Sequence, residues 1–461
     1  MEFPAEIFRS YDVRGTDDQL SVELARSIGA ATVRLTGAKR LVVGRDMRTT
    51  SPLLATGVIE GAISAGAEVV DIGMCTTPMF NFAVFNWAEH DGGVMVTASH
   101  NPPEYNGFKM SHGDAMPISG EEVKKEIDEL GELKELEEHA LEGKVTELDV
   151  APAYVERMFA LANVPKLNGM KIAVDAGNGM AGVILPDIFA KLDADVTALY
   201  FDPDGTFPNH EANPVKAETL TDLIEAIAEA KAAVGVAFDG DADRIAFVDE
   251  KGQSVSGDQL LAFLATELLK AHPGAAVIWS PNASWAVRDA IEAGGGRSIW
   301  EKVGRTNLIK KTLEEQPAIG GEVSGHYFYP EFGGMESTGY TLLLVLKAMA
   351  RSGKPFSELM APYRKYARSP EMNFTVKDKP ARPDGISRSG GDAVLAALEK
   401  KYAANATSVN RLDGLRFESA DGWFSVRKSN TEPLIRLNAE ATSQKLLDSM
   451  LADIAETIEN A

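Results

Sequence analysis

Apolar and polar positions repeat one pattern three times along the chain. Leu41-Val42-Val43-Gly44 reads as a buried strand, Leu53 to Ser64 as a helix, and Glu68 to Ile72 as a second strand. The second copy runs Lys171 to Val174, a helix over Val183–Lys191, then Val196 to Tyr200. The third runs Ala276 to Trp279, a helix over Ser284–Ala293, then Arg297 to Trp300. Short apolar runs alternating with helical patterns indicate parallel α/β units. Each copy continues into another apolar strand and a polar loop. Val94-Met95-Val96 leads to Thr97-Ala98-Ser99-His100-Asn101-Pro102. Val234 to Phe238 leads to Asp239-Gly240-Asp241-Ala242-Asp243-Arg244. Ala318-Ile319 leads to Gly320-Gly321-Glu322-Val323-Ser324-Gly325-His326. Loops leaving strand ends are where open α/β sheets place ligands. Three loops of distinct chemistry in equivalent places predict three similar α/β/α domains around one central cleft.

Glu121 to Leu148 is dense in Glu and Lys at helical spacing and reads as a solvated helix closing the first domain. After about Ser369 the pattern changes. Arg382-Pro383-Asp384-Gly385 is a break with turn chemistry. A helix over Asp392–Tyr402, strands at Leu415–Ser419 and Trp423–Val426, and a last helix over Ser443–Ile458 fit a smaller α+β domain. The expected domains are 1–150, 151–252, 253–368 and 369–461, and the 461-residue length suits about three or four of them.

Acidic residues outnumber basic ones 68 to 46, for a net charge of −22, so the chain as a whole repels nucleic acid and anionic membranes. Any anionic ligand then needs a locally basic pocket. A single cysteine, Cys75, excludes an internal disulfide and fits a reducing, cytoplasmic setting. Its apolar context reads as a small buried residue rather than a nucleophile. Met1-Glu2-Phe3-Pro4 lacks the basic start and apolar run of a signal peptide. No apolar stretch is long enough to span a bilayer, and Lys347 breaks the best run, Thr341 to Leu346.

Asp239, Asp241 and Asp243 alternate, so an extended loop can converge them on one point. Three carboxylates that close repel unless a cation sits among them. All-oxygen ligation suits Mg²⁺. An EF-hand reading has Glu250 at the twelfth position but fails at the sixth, where Arg244 replaces the glycine of the sharp turn. Ile245 to Val248 also reads as a strand. An acidic surface turn is the other alternative, and strands on both sides argue against it. Ser99 sits in a loop stiffened by Pro102 and Pro103. Serine needs activation to attack. No Gly-x-Ser-x-Gly elbow supports acyl transfer, and adjacent side chains such as His100 rarely meet productively, so Ser99 alone reads as a turn serine more often than as a catalyst. Arg427-Lys428-Ser429-Asn430-Thr431-Glu432-Pro433, followed by Arg436, is rich in anion donors. By itself it reads equally as a polar hairpin.

Taken together, these loops resemble the α-D-phosphohexomutase superfamily. Thr97 to Pro102 is similar to its phosphoserine loop and Asp239 to Arg244 to its metal loop. Gly321 to His326 is similar to its sugar-binding loop, and Arg427 to Pro433 to its phosphate-binding loop. Tyr11-Asp12-Val13-Arg14-Gly15 matches a further motif of the family. The motifs stand in the family's order and span nearly the whole chain. The resemblance implies reversible phosphoryl transfer between the 1- and 6-positions of a hexose phosphate. Phospho-Ser99 and a hexose 1,6-bisphosphate would carry the group. It implies one Mg²⁺ per chain, held by Ser99, Asp239, Asp241 and Asp243. Arg14, Lys109, Arg244 and His100 would serve the chemistry, with Lys109 a candidate acid/base. Tyr11, Arg305, Glu322, Ser324 and His326 would bind the sugar. Arg427, Ser429, Asn430, Thr431 and Arg436 would hold the phosphate that is not moving.

Asn101 to Lys109 looks most like the phosphomannomutase/phosphoglucomutase branch. The phosphoglucosamine branch, the alternative, usually has Gln where this chain has Val323. One departure is Gly304-Arg305, where the first branch often has Gly-His. Arg305 is then expected to contact a phosphate or hydroxyl instead. The rival activities are a metal-dependent sugar phosphatase using the same loops and a sugar-phosphate-binding protein without activity. The intact serine, aspartates and tail loop argue against the latter.

Overall fold

The computed structural model describes residues 3–130, 143–376, 390–428 and 434–461. The chain forms two compact units. One comprises Met1–Gly257, Thr312–Ile319 and Ser324–Leu359; the other comprises Asp258–Lys311, Gly320–Val323 and Met360–Ala461.

The first unit carries two sheets of one design. In the first, Arg40–Arg45 lies between parallel Glu68–Met74 and Gly92–Val96, and Tyr105–His112 returns antiparallel beside Gly92–Val96. Leu41, Val42 and Val43 are wholly buried, as a parallel strand covered on both faces requires. Val13–Thr16 extends the sheet along Tyr105–His112. The second sheet repeats the order with Ala194–Leu199, Met170–Asp175, Val234–Phe238 and the antiparallel return Ile245–Asp249. In the second unit, Arg297–Trp300 pairs in parallel with Ala276–Trp279, and Ile319–Gly321 follows next in the sheet. All three repeats therefore put the strand that precedes the chemical loop beside the repeat's first strand.

The C-terminal sheet is antiparallel, with Leu434–Ala441 between Gly422–Lys428 and the pair Ala367–Arg368 and Met372–Thr375. The helices Gly390–Tyr402 and Gln444–Glu459 share its core through Val394, Leu398, Leu447, Ile454 and Ile458. The smaller α+β domain is as the sequence suggests. The expected break at Arg382–Gly385 lies outside the described residues.

Two sequence expectations change. The expected helix is seen as Gly120–Leu130, residues 131–142 lie outside the described residues, and Val145–Glu147 is instead a strand parallel to Val69–Asp71. A β-branched pair at a sheet edge outweighs the charged context there. The helix is also not solvated throughout, because Val123 and Ile127, four residues apart, enter the core. In the third repeat the strand runs on through Gly321, so the loop begins at Glu322. Cys75 is buried, and burial pushes its thiol pKa up, in keeping with an inert core residue. No described helix is long and apolar enough to cross a membrane.

The helices Val22–Thr36 and Ser51–Ser64 meet at two glycines. A Cβ on Gly61 would lie 1.8 Å from the Arg26 carbonyl oxygen, and one on Gly29 would lie 2.1 Å from that of Val58. Arg26 and Glu60 form a buried ion pair at 2.6 Å across the same contact. Helix propensity alone would favour alanine at Gly61 by about 1 kcal/mol. The clash forces the backbones apart and outweighs that gain. Gly61→Ala is therefore expected to destabilise the first unit by about 2 kcal/mol, measured by urea unfolding. An unchanged or raised midpoint would show that the helices are not in close contact.

Candidate active site

The strand Gly92–Val96 is buried along its whole length and delivers the Ser99 loop from its carboxyl end. Ser99 adopts φ +53°, a left-handed conformation rare for a residue with a Cβ. Thr97 Oγ1 accepts from the Ser99 amide at 2.9 Å. Ser99 Oγ donates to Asp239 Oδ2 at 2.9 Å and lies 3.1 Å from His100 Nδ1. Adjacent side chains rarely meet productively; here the left-handed turn at Ser99 brings the two within hydrogen-bond distance. Burial, then the charges of Arg244 and Arg14, push His100 down to about 2. A neutral imidazole that reluctant to protonate can hold a hydrogen bond but is a poor sink for the serine proton.

Asp239, Asp241 and Asp243 are buried, with one oxygen from each lying within 4.8 Å of the others. This excludes the surface-turn alternative, and the strand Ile245–Asp249 excludes the EF-hand. Lys109 Nζ donates to Asp241 Oδ2 at 2.5 Å and to Asp243 Oδ2 at 2.7 Å. One ammonium cannot balance three carboxylates. Burial and the charges of Asp243 and Asp241 push Asp239 well above the usual carboxylate range. Burial also opposes the charge on Asp243, but Lys109, His326 and Arg244 outweigh it and hold its pKa low. Asp241 Oδ1 and Asp243 Oδ1 are buried without a hydrogen-bond partner among the described residues. Unpartnered carboxylate oxygens in an all-oxygen cluster beside a serine hydroxyl fit a hard divalent cation.

Three arginine and histidine side chains face this cluster. Arg14 donates to Asn101 Oδ1 at 2.7 Å and to Asp12 Oδ2 at 2.5 Å. Burial opposes its charge, but Asp12, Asp241 and Asp243 outweigh burial and raise its pKa. Arg244 Nε donates to His326 Nε2 at 3.0 Å, and His326 Nδ1 lies 3.2 Å from the Asp243 carbonyl oxygen. Ser99, His100, Arg14, Lys109, Arg244, His326 and the three aspartates are therefore brought together. Tyr11 precedes Asp12 and is 39% exposed.

Sequence reasoning missed three residues here. Thr77 donates from its amide to the Asp241 carbonyl at 2.9 Å and from Oγ1 to Asp241 Oδ2 at 2.7 Å. Glu336 is buried with Oε1 3.5 Å from His326 Nδ1. Arg48 binds the carbonyls of the Ser99 loop. A Thr-Pro pair opening the helix Thr77–Asn86 reads as a helix start, and Glu336 follows no recognisable motif. Only the basic residue in Gly44-Arg45-Asp46-Met47-Arg48, just past a strand end, offered a signal.

In the second unit Glu322 Oε1 accepts from the Gly304 amide at 2.7 Å, which brings the Glu322 loop to the residue before Arg305. Arg305 opens the helix Arg305–Glu315. Ser324, which belongs to the first unit, is half-buried beside Gly325, whose φ of +89° turns the chain. Arg427 and Arg436 stand directly opposite each other on antiparallel strands. The Nε of each is buried without a hydrogen-bond partner among the described residues. Arg436 Nη1 reaches Glu371 at 3.4 Å, and Lys428 turns away to Asp392 at 2.7 Å. Ser429, Asn430 and Thr431 lie outside the described residues.

Residues 5–136, 152–252 and 256–366 match the family models described as phosphoglucomutase/phosphomannomutase alpha/beta/alpha domains I, II and III. Residues 371–457 match the C-terminal domain of the same family. A phosphomannomutase of Salmonella montevideo is 35% identical over 443 residues, 94% of each chain. A phosphomannomutase/phosphoglucomutase of Pseudomonas aeruginosa is 34% identical over 453 residues, 96% of this chain and 94% of that one. The crystal structure of a phosphoglucomutase/phosphomannomutase family protein from Burkholderia thailandensis superposes with a TM-score of 0.88 at 32% identity. It covers 100% of this chain and 98% of its own.

The carboxylate cluster yields a test that needs no turnover. At about 100 times its dissociation constant, a bound Mg²⁺ is expected to add about 2.7 kcal/mol to unfolding. Asp241→Asn should remove most of that increment. Calorimetric titration together with unfolding in Mg²⁺ and in chelator measures both. Equal Mg²⁺ stabilisation of wild type and variant would show that the aspartates hold no metal.

Proposed function

The chain belongs to the phosphoglucomutase/phosphomannomutase family, and we propose that it works through a phosphoserine at Ser99 and a hexose 1,6-bisphosphate intermediate. It is an isomerase, a phosphohexose mutase. The observation that carries the proposed route is Ser99 Oγ at 2.9 Å from a buried aspartate whose neighbours keep unpartnered oxygens. A phosphoryl group on Ser99 brings about −1.5 to −2 charge to a cluster that already has too many anions.

Mg²⁺ would be held by phospho-Ser99, Asp239, Asp241 and Asp243, and would offset the charge of the transferring group. The chain's own residues do the rest. Arg14 and Arg244, fixed by Asp12 and His326, face the transferring oxygens. A sugar hydroxyl oxygen bonds to phosphorus as the bond to Ser99 Oγ breaks, and the hydroxyl proton passes to a base. Lys109, its ammonium bridging Asp241 and Asp243, is the candidate acid/base. His100, held neutral, orients Ser99 Oγ rather than taking its proton. The bisphosphate then reverses end for end and returns its other phosphoryl group to Ser99.

Tyr11, Arg305, Glu322, Ser324 and His326 are assigned to the sugar. Arg427, Ser429, Asn430, Thr431 and Arg436 are assigned to the phosphate that is not moving. Like charges directly opposite on neighbouring strands are destabilising. A bound phosphate accepts from both guanidinium groups and removes that penalty. The substrates on this reading are mannose and glucose phosphates, the pair named for the Pseudomonas aeruginosa relative. Phosphoglucosamine is the alternative. Domain limits at 150, 252 and 368, a cytoplasmic setting and an absence of nucleic-acid or membrane partners complete the proposal.

Ser99→Ala should fold and lose mutase activity by about a thousandfold or more, since no other group here can relay the phosphoryl. Activity within about tenfold of wild type would reject the relay. Phosphate release matching sugar turnover in wild type would instead identify a phosphatase. A substrate panel of mannose, glucose and glucosamine 1-phosphates, each with a trace of its bisphosphate, fixes the sugar.

Arg427→Ala should raise KM by about 30-fold, the equivalent of about 2 kcal/mol for a charge-assisted contact. Lys428→Ala should be much milder, because Lys428 is spent on Asp392. Steady-state kinetics on both variants decide this. An unchanged KM in Arg427→Ala would make the tail loop an ordinary hairpin.

A further inference from the structure

Under the Ser99 loop, one guanidinium gathers four main-chain carbonyls. Arg48 Nη2 donates to Ser99 O at 2.9 Å and to Asn101 O at 2.6 Å. Arg48 Nη1 donates to Pro102 O at 2.7 Å and to Tyr105 O at 2.8 Å. The side chain is completely buried, with Asp46 Oδ2 3.2 Å from Nε. Asp46 is itself held, since its Oδ1 accepts from Ser51 Oγ at 2.5 Å and from the Arg48 amide at 3.0 Å. The Phe207 ring covers the guanidinium at 5.1 Å. Gly205 lies so close that a Cβ there would be 2.6 Å from Arg48 Cα.

Within the loop the Ser99 amide donates to Thr97 Oγ1 at 2.9 Å and the Asn101 amide to the Ala98 carbonyl at 3.1 Å. Pro102 and Pro103 offer no amide, and Ser99 sits at φ +53°. A serine keeps that conformation only where its surroundings impose it. The surroundings here are Arg48 on one side of the Ser99 carbonyl and Gly240 on the other. A Cβ on Gly240 would fall 2.4 Å from the Ser99 oxygen. The Ser99 carbonyl is thus clamped between the guanidinium and the backbone of the metal loop. Fixing the carbonyl fixes the peptide plane and with it the direction of the Ser99 Cα–Cβ bond, and the bond to Asp239 then holds Oγ. In a phosphoserine mechanism that direction sets the line between the attacking hydroxyl, phosphorus and the serine oxygen.

The geometry points to Arg48 as a positioning residue for phosphoryl transfer. By collecting the carbonyls of Ser99, Asn101, Pro102 and Tyr105, it holds Ser99 left-handed and aims Oγ at the three aspartates. The inference rests on the reading of Ser99 as the phosphoryl carrier. Arg48 acts through the loop. Its side chain is spent on main-chain oxygens and on Asp46, so the step it governs is transfer and not substrate capture.

Lysine cannot reproduce the arrangement, because a compact ammonium on a flexible stem has no planar fork to span four acceptors. Arg48→Lys is expected to lower kcat by about 100-fold, the usual cost of misplacing a reacting group by about 1 Å, and to leave KM within about threefold. Folding is checked by circular dichroism and thermal melting. The ³¹P resonance of phospho-Ser99 should shift in the variant. In Arg48→Ala, added guanidinium ion at sub-denaturing concentration should recover part of kcat, and ethylammonium should not. If neither variant folds, Phe207→Leu leaves Arg48 in place and thins its cover, and kcat should fall several-fold at constant KM. Folded Arg48→Lys with wild-type kcat, or a rise in KM alone, overturns the inference, as does wild-type kcat in Phe207→Leu. Wild-type protein is the control for the underlying reading. If it never carries phosphate on Ser99, that reading fails first. If it does and Arg48→Lys turns over normally, only the role of Arg48 fails.

Discussion

Three carboxylates buried within 4.8 Å of one another are the constraint around which the first unit is organised. Burying one charge without a partner costs several kcal/mol, and burying three together costs more through their repulsion. The chain answers with cations and donors drawn from distant segments. Lys109 comes from the return strand of the first sheet, and Thr77 from the start of a helix. Arg244 comes from the loop itself and Arg14 from an edge strand. Even so, two aspartate oxygens stay unpartnered and Asp239 is pushed toward its neutral form. A site left short of positive charge is one that a divalent cation and a phosphoryl group can enter together.

Topology explains how such different loops come to occupy equivalent places. Each repeat places its loop after the strand next to its own first strand, at a carboxyl end. The scaffold is the same, and the loops diverge into a serine, a set of aspartates and a glutamate with a histidine. Within the first unit this brings Ser99 and Asp239 into hydrogen-bond contact across 140 residues of sequence. The C-terminal sheet contributes in another way. Its antiparallel strands set Arg427 directly opposite Arg436, an arrangement that favours an anionic ligand.

The readable parts of the sequence were those with local cause. Leu41 to Gly44 declares a buried strand through its own composition, and Asp239, Asp241 and Asp243 declare through their spacing a carboxylate cluster able to hold a cation. Contacts made at long range left no such trace. Thr77 gives no sign that it ties down Asp241, 164 residues later, and Glu336 gives none that it lies beside His326. Val145–Glu147 was hidden by surrounding charge, because edge pairing with Glu68–Met74 depends on a partner 76 residues away. The contact between Ser99 and His100 was hidden differently. It follows from a left-handed backbone that Gly240 and Arg48 impose, which no window around Ser99 contains.

The account stands or falls on Ser99 as the carrier of the moving group. The direct measurement is a rapid-quench pulse and chase with hexose 1,6-bisphosphate labelled in its phosphoryl groups. The protein should take up one labelled phosphoryl, on the peptide that contains Ser99. Unlabelled hexose 1-phosphate should then remove it into sugar phosphate no more slowly than the enzyme turns over. Label that never reaches Ser99, or that leaves it more slowly than turnover, would contradict the account.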